Sequence, residues 1–330
     1  MQKRRIWLIA CLVLALAVAA VLLLRGAGGD ASLRIESAVA PDADDQPLPL
    51  RIWYPAQPAA AAGSAAQTLP LIVISHGTGG SAMGHEDTAR ALARAGFVVV
   101  AVQHTGDNYR DHSYVRQGMH LTGRPRHVVR TIDYMLSSWH GRTLIDAQRV
   151  GLFGFSAGGF TTLVLAGGLP DLARTALHCR DQPAAWDCDF LRRNGVDPQA
   201  IKPRPIVWQR DSRIRAAVVA APAVSYSFDR ERLQLAQIPF QLWVGGDDQV
   251  VGPGAAEVRD MLPAPPDFHR VDHAGHFAFM VPCDWRLRAT IKVMHWFGTD
   301  DVCTDPAGFD RAAFHTQFNA AVVAFFRAHL

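Results

Sequence analysis

Six short apolar runs (LPLIVISHG, FVVVAVQH, RVGLFGFS, IRAAVVAAPAV, PFQLWVGGDD and DFHRVDHAGH) alternate with helical patterns between residues 69 and 276. The helical patterns are HEDTARALARAG, PRHVVRTIDYMLSSW, GGFTTLVLAGG and GAAEVRDML, and a long one, DRAAFHTQFNAAVVAFFRAHL, closes the chain. Strand-like runs with no polar alternation are buried on both faces, which requires a parallel sheet covered by helices on each side. Two further runs, LRIESAVA and LPLRIWYPA, precede this series and read as edge strands joined by the turn-rich PDADDQP. The expectation is an α/β fold with a mostly parallel central sheet.

The 330 residues are 49% hydrophobic, enough for one large core. A net charge of +3 with no dense Lys/Arg stripe excludes a nucleic-acid surface. The first 25 residues stand apart. Lys3, Arg4 and Arg5 precede an apolar run from Ile6 to Leu24, ended by Arg25. That run is longer than the roughly 7–15 residues of a cleaved signal core and near the roughly 20 that span a bilayer. It reads as a single-span anchor with its charged end in the cytoplasm. The catalytic part then lies in the periplasm or outside the cell, with secretion after cleavage at Gly29 as the alternative. Residues 26–34 read as a linker and 35–330 as the main domain. Residues 56–67, AQPAAAAGSAAQ, read as a low-complexity surface loop. About 45 residues, 169–214, interrupt the strand–helix rhythm, and a loop that long in a compact domain reads as a lid over a site.

GFSAG, Gly154 to Gly158, matches G-x-S-x-G between a strand run and a helical run. A turn that tight leaves no room for flanking side chains, hence the glycines, and it lifts Ser156 clear of the sheet at a helix N-terminus. There the unpaired N–H groups favour developing negative charge. Possible partners follow in the order acid, then histidine. Asp248 lies just past the GGDD strand tip, with Asp247 as rival, and His276 sits in AGHF after the last strand, with His273 expected still within or ending that strand. Upstream, ISHGTGG places a glycine-rich loop after a strand. The N–H groups of Thr78 and Ala157 are the candidate oxyanion donors. No Gly-Lys-Ser/Thr follows, so a phosphate loop is a poor reading. Phe155, Phe277 and Phe279 are candidate pocket walls. The chemistry needs neither cofactor nor metal.

Outside the anchor the cysteines are Cys179, Cys188, Cys283 and Cys303. Three pairings exist, and Cys179–Cys188 with Cys283–Cys303 closes the shortest loops; four buried thiols are the alternative. No histidine stands at zinc-ligand spacing from either pair.

With these motifs placed, residues 35–330 resemble the α/β-hydrolase superfamily. More narrowly, they resemble the bacterial branch called dienelactone-hydrolase-like, related to plasma-type platelet-activating-factor acetylhydrolases. The resemblance is carried by LPLIVISHGTGG, RVGLFGFSAGG, DSRIRAAVVAAPA, GGDDQVV, AGHFAFMVPC and CTDPAGFDRAAFHTQFNAAVVAFF. It implies a serine esterase acting on short acyl esters, small or lipid-like, with Ser156, His276 and Asp248 as triad; the cysteines near the last two segments recur in that branch. Two departures stand out: Phe155 replaces the branch's usual histidine, and serine stands at 156 where true dienelactone hydrolases use cysteine. A lipase or polyesterase, and a non-catalytic binding protein on the same fold, are the rival readings.

Overall fold

The computed structural model describes residues 30–42, 46–57, 68–116, 120–201, 206–296 and 300–330. The anchor segment, the Gly29 site and most of the 56–67 loop lie outside the described residues. Among those described, no helix is long and apolar enough to cross a membrane.

Every strand-like run becomes a strand. β1 (Leu33–Ala40) and β2 (Leu48–Pro55) form the antiparallel edge, and β1 opens within the stretch 26–34 read as linker. β3 (Leu69–Ser75), β4 (Val98–Val102), β5 (Ile145–Phe155), β6 (Ile214–Ala220), β7 (Phe240–Gly245) and β8 (Asp267–Val271) run parallel. The order across the sheet is β1-β2-β4-β3-β5-β6-β7-β8. β4 is apolar and buried at all five positions, as a central strand covered on both faces must be.

Helices α1 (Glu86–Arg94) and α8 (Arg311–His329) cover one face, where Leu92, Phe318, Val322 and Phe326 meet Ile72, Val99 and Phe153. Helices α2 (His120–Ser137), α3 (Ala157–Leu165) and α6 (Gly254–Met261) cover the other, through Val128, Ile132, Leu163, Val164 and Val258. Helix α2 starts five residues ahead of Pro125, not at it. On either side of the proline, Arg124 is buried against the loop after β3 and His127 against His104 after β4, and these tertiary contacts hold a helix that an interior proline opposes.

The excursion 169–214 contains two eight-residue helices, α4 (Arg174–Asp181) and α5 (Trp186–Arg193). A disulfide between Cys179 and Cys188 ties them together, and a second, between Cys283 and Cys303, closes the loop that carries α7 (Trp285–Trp296). Both pairings are the local ones.

Candidate active site

The C-terminal ends of β3, β5, β7 and β8 open on one side of the sheet, where the crevices of a parallel sheet lie. Ser156 follows β5 directly with φ +55°, ψ −116°, a conformation a side-chain-bearing residue rarely takes. Three backbone hydrogen bonds hold it: Ser156 N–H donates to Ala220 O (2.9 Å), and the N–H groups of Phe160 and Ala223 both donate to Ser156 O (3.0 Å each). The flanking glycines are required by contact. A Cβ on Gly154 would strike the Gly158 carbonyl, and one on Gly158 would strike the Ser75 carbonyl.

His276 Nε2 lies 3.0 Å from Ser156 Oγ, and its Nδ1 lies 2.8 Å from Asp248 Oδ2. The His276 and Asp248 side chains are each 3% exposed. Burial by itself raises the Asp248 pKa. Attraction to His276, their hydrogen bond and the N–H donors of Val251 and Val250 outweigh it and hold the carboxyl below its ordinary value. The other Asp248 oxygen accepts from those two N–H groups, so the carboxylate is aimed from its own turn. Asp247 is half-exposed, and among the described residues its carboxylate pairs with the exposed His273 alone, at 3.4 Å. His273 is not in or at the end of β8 but in the turn beyond it, at φ +58°, because the strand's pairing stops at Val271.

Ala157 is the first residue of α3, so its N–H has no intrahelical acceptor. Thr78 borders the same cavity as Ser156. The loop bearing Thr78 is clamped by residues that no motif had marked. Arg124 and Asp107, each 1% exposed, form an ion pair at 2.8 Å. Arg124 donates to the carbonyls of His76 (2.6 Å) and Gly77 (2.9 Å), while Asp107 Oδ1 accepts from Gly79 N–H (2.8 Å). His76 Nε2 accepts from His104 N–H (3.2 Å), so its proton sits on Nδ1 and is donated to Gly77 O (2.7 Å). Burial, then the Arg124 charge, push the His76 pKa down to about 3, which keeps the ring neutral. Their one sequence signal was the polarity of Asp107 and Arg124 beside buried segments, too common to single them out.

The cavity above Ser156 holds about 360 Å³. Its roof is the 169–214 excursion, through Thr175, His178, Trp186, Phe190 and Leu191, and its far wall includes Tyr226 and Val251. Tyr226 fixes the roof: its hydroxyl donates to Asp187 (2.9 Å) and its ring stacks on His178 at 3.9 Å. Phe155 and Phe279 do not line this cavity. Both are buried in the core under α8, and the Phe155 ring lies 4.8 Å from that of His276, backing the imidazole. Phe277 is half-buried and borders a shallower depression beside the cavity.

Among the described residues, one group of His, Cys, Asp or Glu side chains has metal-ligand proximity: His178, Asp187 and Cys188. The Cys188 sulfur is bonded to Cys179 and cannot act as a thiolate.

Doubly covered parallel sheet, strained serine elbow and strand-end crevice are together the architecture of the α/β-hydrolase fold. The model of the dienelactone hydrolase family matches residues 58–183. A dienelactone hydrolase from Anabaena variabilis is similar in structure, with TM-score 0.52 and 14% identity over 91% of this chain and 99% of that one. A ferulic acid esterase from Streptomyces cinnamoneus is similar at TM-score 0.56 and 17% identity, over 92% and 91%. At such identities the likeness is one of fold. Comparison with curated protein sequences finds no significant match. The chain shares the fold of the α/β-hydrolases.

Proposed function

We propose that the protein is a serine esterase that cleaves short-chain carboxylic esters through an acyl-enzyme. The carrying observation is the buried row Ser156–His276–Asp248, with contacts of 3.0 and 2.8 Å, at the base of a roofed cavity. A serine hydroxyl is a weak nucleophile at neutral pH. His276 Nε2 takes its proton as Oγ attacks the ester carbonyl; Asp248 holds the ring by its Nδ1–H and stabilises the cation. The N–H groups of Ala157 and Thr78 receive the oxyanion. His276 then protonates the leaving alkoxide, and a water activated by the same nitrogen hydrolyses the acyl-Ser156. The enclosed 360 Å³ favours small acyl groups over long chains. Serine rather than cysteine at 156 favours ordinary esters over dienelactones.

Two disulfides fit an oxidising compartment, which supports a location outside the cytoplasm. The apolar run 6–24, read as an anchor, supports its attachment to the inner membrane.

The test is hydrolysis of p-nitrophenyl esters of increasing acyl length by the full chain. Activity peaks at acetate to butyrate, and Ser156→Ala abolishes both turnover and fluorophosphonate labelling. Asp248→Asn lowers kcat by about 10⁴-fold, while Asp247→Asn leaves it within about twofold, as for an exposed side chain outside the row. Undiminished turnover in Ser156→Ala overturns the assignment.

A further inference from the structure

Helix α7, Trp285–Trp296, has no buried face. Among its described side chains Ile291 is half-buried and the others are exposed, including Trp285 at 70%, Val293 at 59% and Trp296 at 89%. A twelve-residue helix is marginal in water by itself, so so large an apolar exposure marks a surface that another phase or molecule covers.

Helical spacing says what kind. Trp285, Ala289, Val293 and Trp296 fall within one 80° arc at 100° per residue, a stripe roughly 16 Å long with a tryptophan at each end. Arg286 flanks one edge, and Arg288 and Lys292 flank the other. No carboxylate occurs between Trp285 and Thr299, and among the described residues none of these three cations forms an ion pair. Arg286 instead lies over the Trp285 ring, 5.1 Å from its centre. Tryptophan beside unpaired cations is the composition that seats a helix at the headgroup level of an anionic bilayer.

The last turn of the helix, through His295, also reaches the flank of the site. Beyond the helix's C-terminal end an open depression is bordered by Trp186, Gln249, Val250, Phe277 and His295. Trp186, Gln249 and Val250 border the cavity above Ser156 as well. Asp300 and Asp301 stand on the depression's wall, off the stripe.

We propose that α7 docks on an anionic lipid surface and turns the mouth of the cavity toward it. The claim stands apart from the esterase reading, because its test reads the position of two tryptophans and not turnover. The full chain is mixed with vesicles of brominated phosphatidylglycerol or brominated phosphatidylcholine, and tryptophan emission is recorded. Subtracting the emission of W285F/W296F isolates those two rings from the other tryptophans, including Trp7.

The expected result is quenching of the difference emission by brominated phosphatidylglycerol, at least about twofold stronger than by brominated phosphatidylcholine. Each basic side chain near an anionic surface contributes about fivefold. R286Q/R288Q/K292Q therefore shifts the docking equilibrium by about a hundredfold toward the free helix, and 0.5 M salt weakens it in the same sense. Difference emission untouched by either lipid overturns the proposal. So does a concentration-dependent blue shift of that emission without lipid, which would assign the stripe to a second copy of the chain.

Discussion

Ser156 is held at φ +55° by hydrogen bonds from both sides of the elbow, and such conformations cost roughly 1–3 kcal/mol. Two glycines with no space for a Cβ complete the turn. Less visible is the support for the Thr78 loop. Arg124 reaches two of its carbonyls and, through Asp107, one of its N–H groups, so a single buried guanidinium positions the backbone that carries the Thr78 N–H. Arg124→Met leaves Asp107 buried without its partner, which costs about 3–5 kcal/mol and lowers Tm by about 10 °C. It also lets the loop relax, so kcat falls by about 10²-fold, the scale of one lost oxyanion donor, while KM changes little. Kinetics on p-nitrophenyl acetate with a thermal melt check both. A melt that shifts with kcat unchanged would reduce Arg124 to a purely structural role.

At the scale of elements, α4 and α5 are too short to persist alone. The Cys179–Cys188 disulfide, the Tyr226–Asp187 hydrogen bond and the His178–Tyr226 stack make them a roof. The disulfide contributes about 2–4 kcal/mol by restricting the opened segment. Cys179→Ser/Cys188→Ser therefore raises KM for short esters by about tenfold, while fluorophosphonate labelling of Ser156, which needs no roof, proceeds at an unchanged rate. Equal loss of labelling and turnover would instead place the disulfide in the support of the elbow. These two helices and α7 were not legible in the sequence. The two eight-residue helices are too short to carry a sustained apolar period and are held by their disulfide and neighbouring side chains, and the apolar stripe of α7 packs against no other element among the described residues. The eight strands were legible because continuous apolar runs at strand length, bounded by turn residues, have few other ways to be buried. Phe155, read as a pocket wall, sits instead in the core, because strand period two puts it on the same face as Phe153, under α8 and away from the cavity.

The whole molecule carries several histidines in its interior. Burial, followed by nearby positive charge, lowers His76 to about 3 and holds His104 well below its ordinary value. Burial chiefly lowers His85 to about 4, against the opposing pull of Asp87. A group whose folded pKa is depressed stabilises the fold fully above its unfolded value of 6.5, and this is lost as pH falls toward the folded value. Stability is thus flat above about pH 6.5 and declines below it, by up to about 1.4 kcal/mol per pH unit for each ring that must stay neutral. Below about pH 4, Asp248 and Asp107, whose carboxyls are held low, add to the loss. Denaturant titrations between pH 8 and 4 check this. A midpoint that stays constant down to pH 4.5 would contradict it.

By itself, the sequence determined the succession of the strands along the chain, the helices that cover them and the glycine-flanked serine. Each is written in patterns of apolarity and backbone permissiveness that repeat within a few residues. Only the tertiary structure decided that Asp248 rather than Asp247 faces His276, that Arg124 and Asp107 hold the Thr78 loop, and that the 169–214 excursion roofs the serine. A buried charge survives only where distant parts of the chain supply its partner. Ser156 and His276, 120 residues apart, meet only once the sheet has formed.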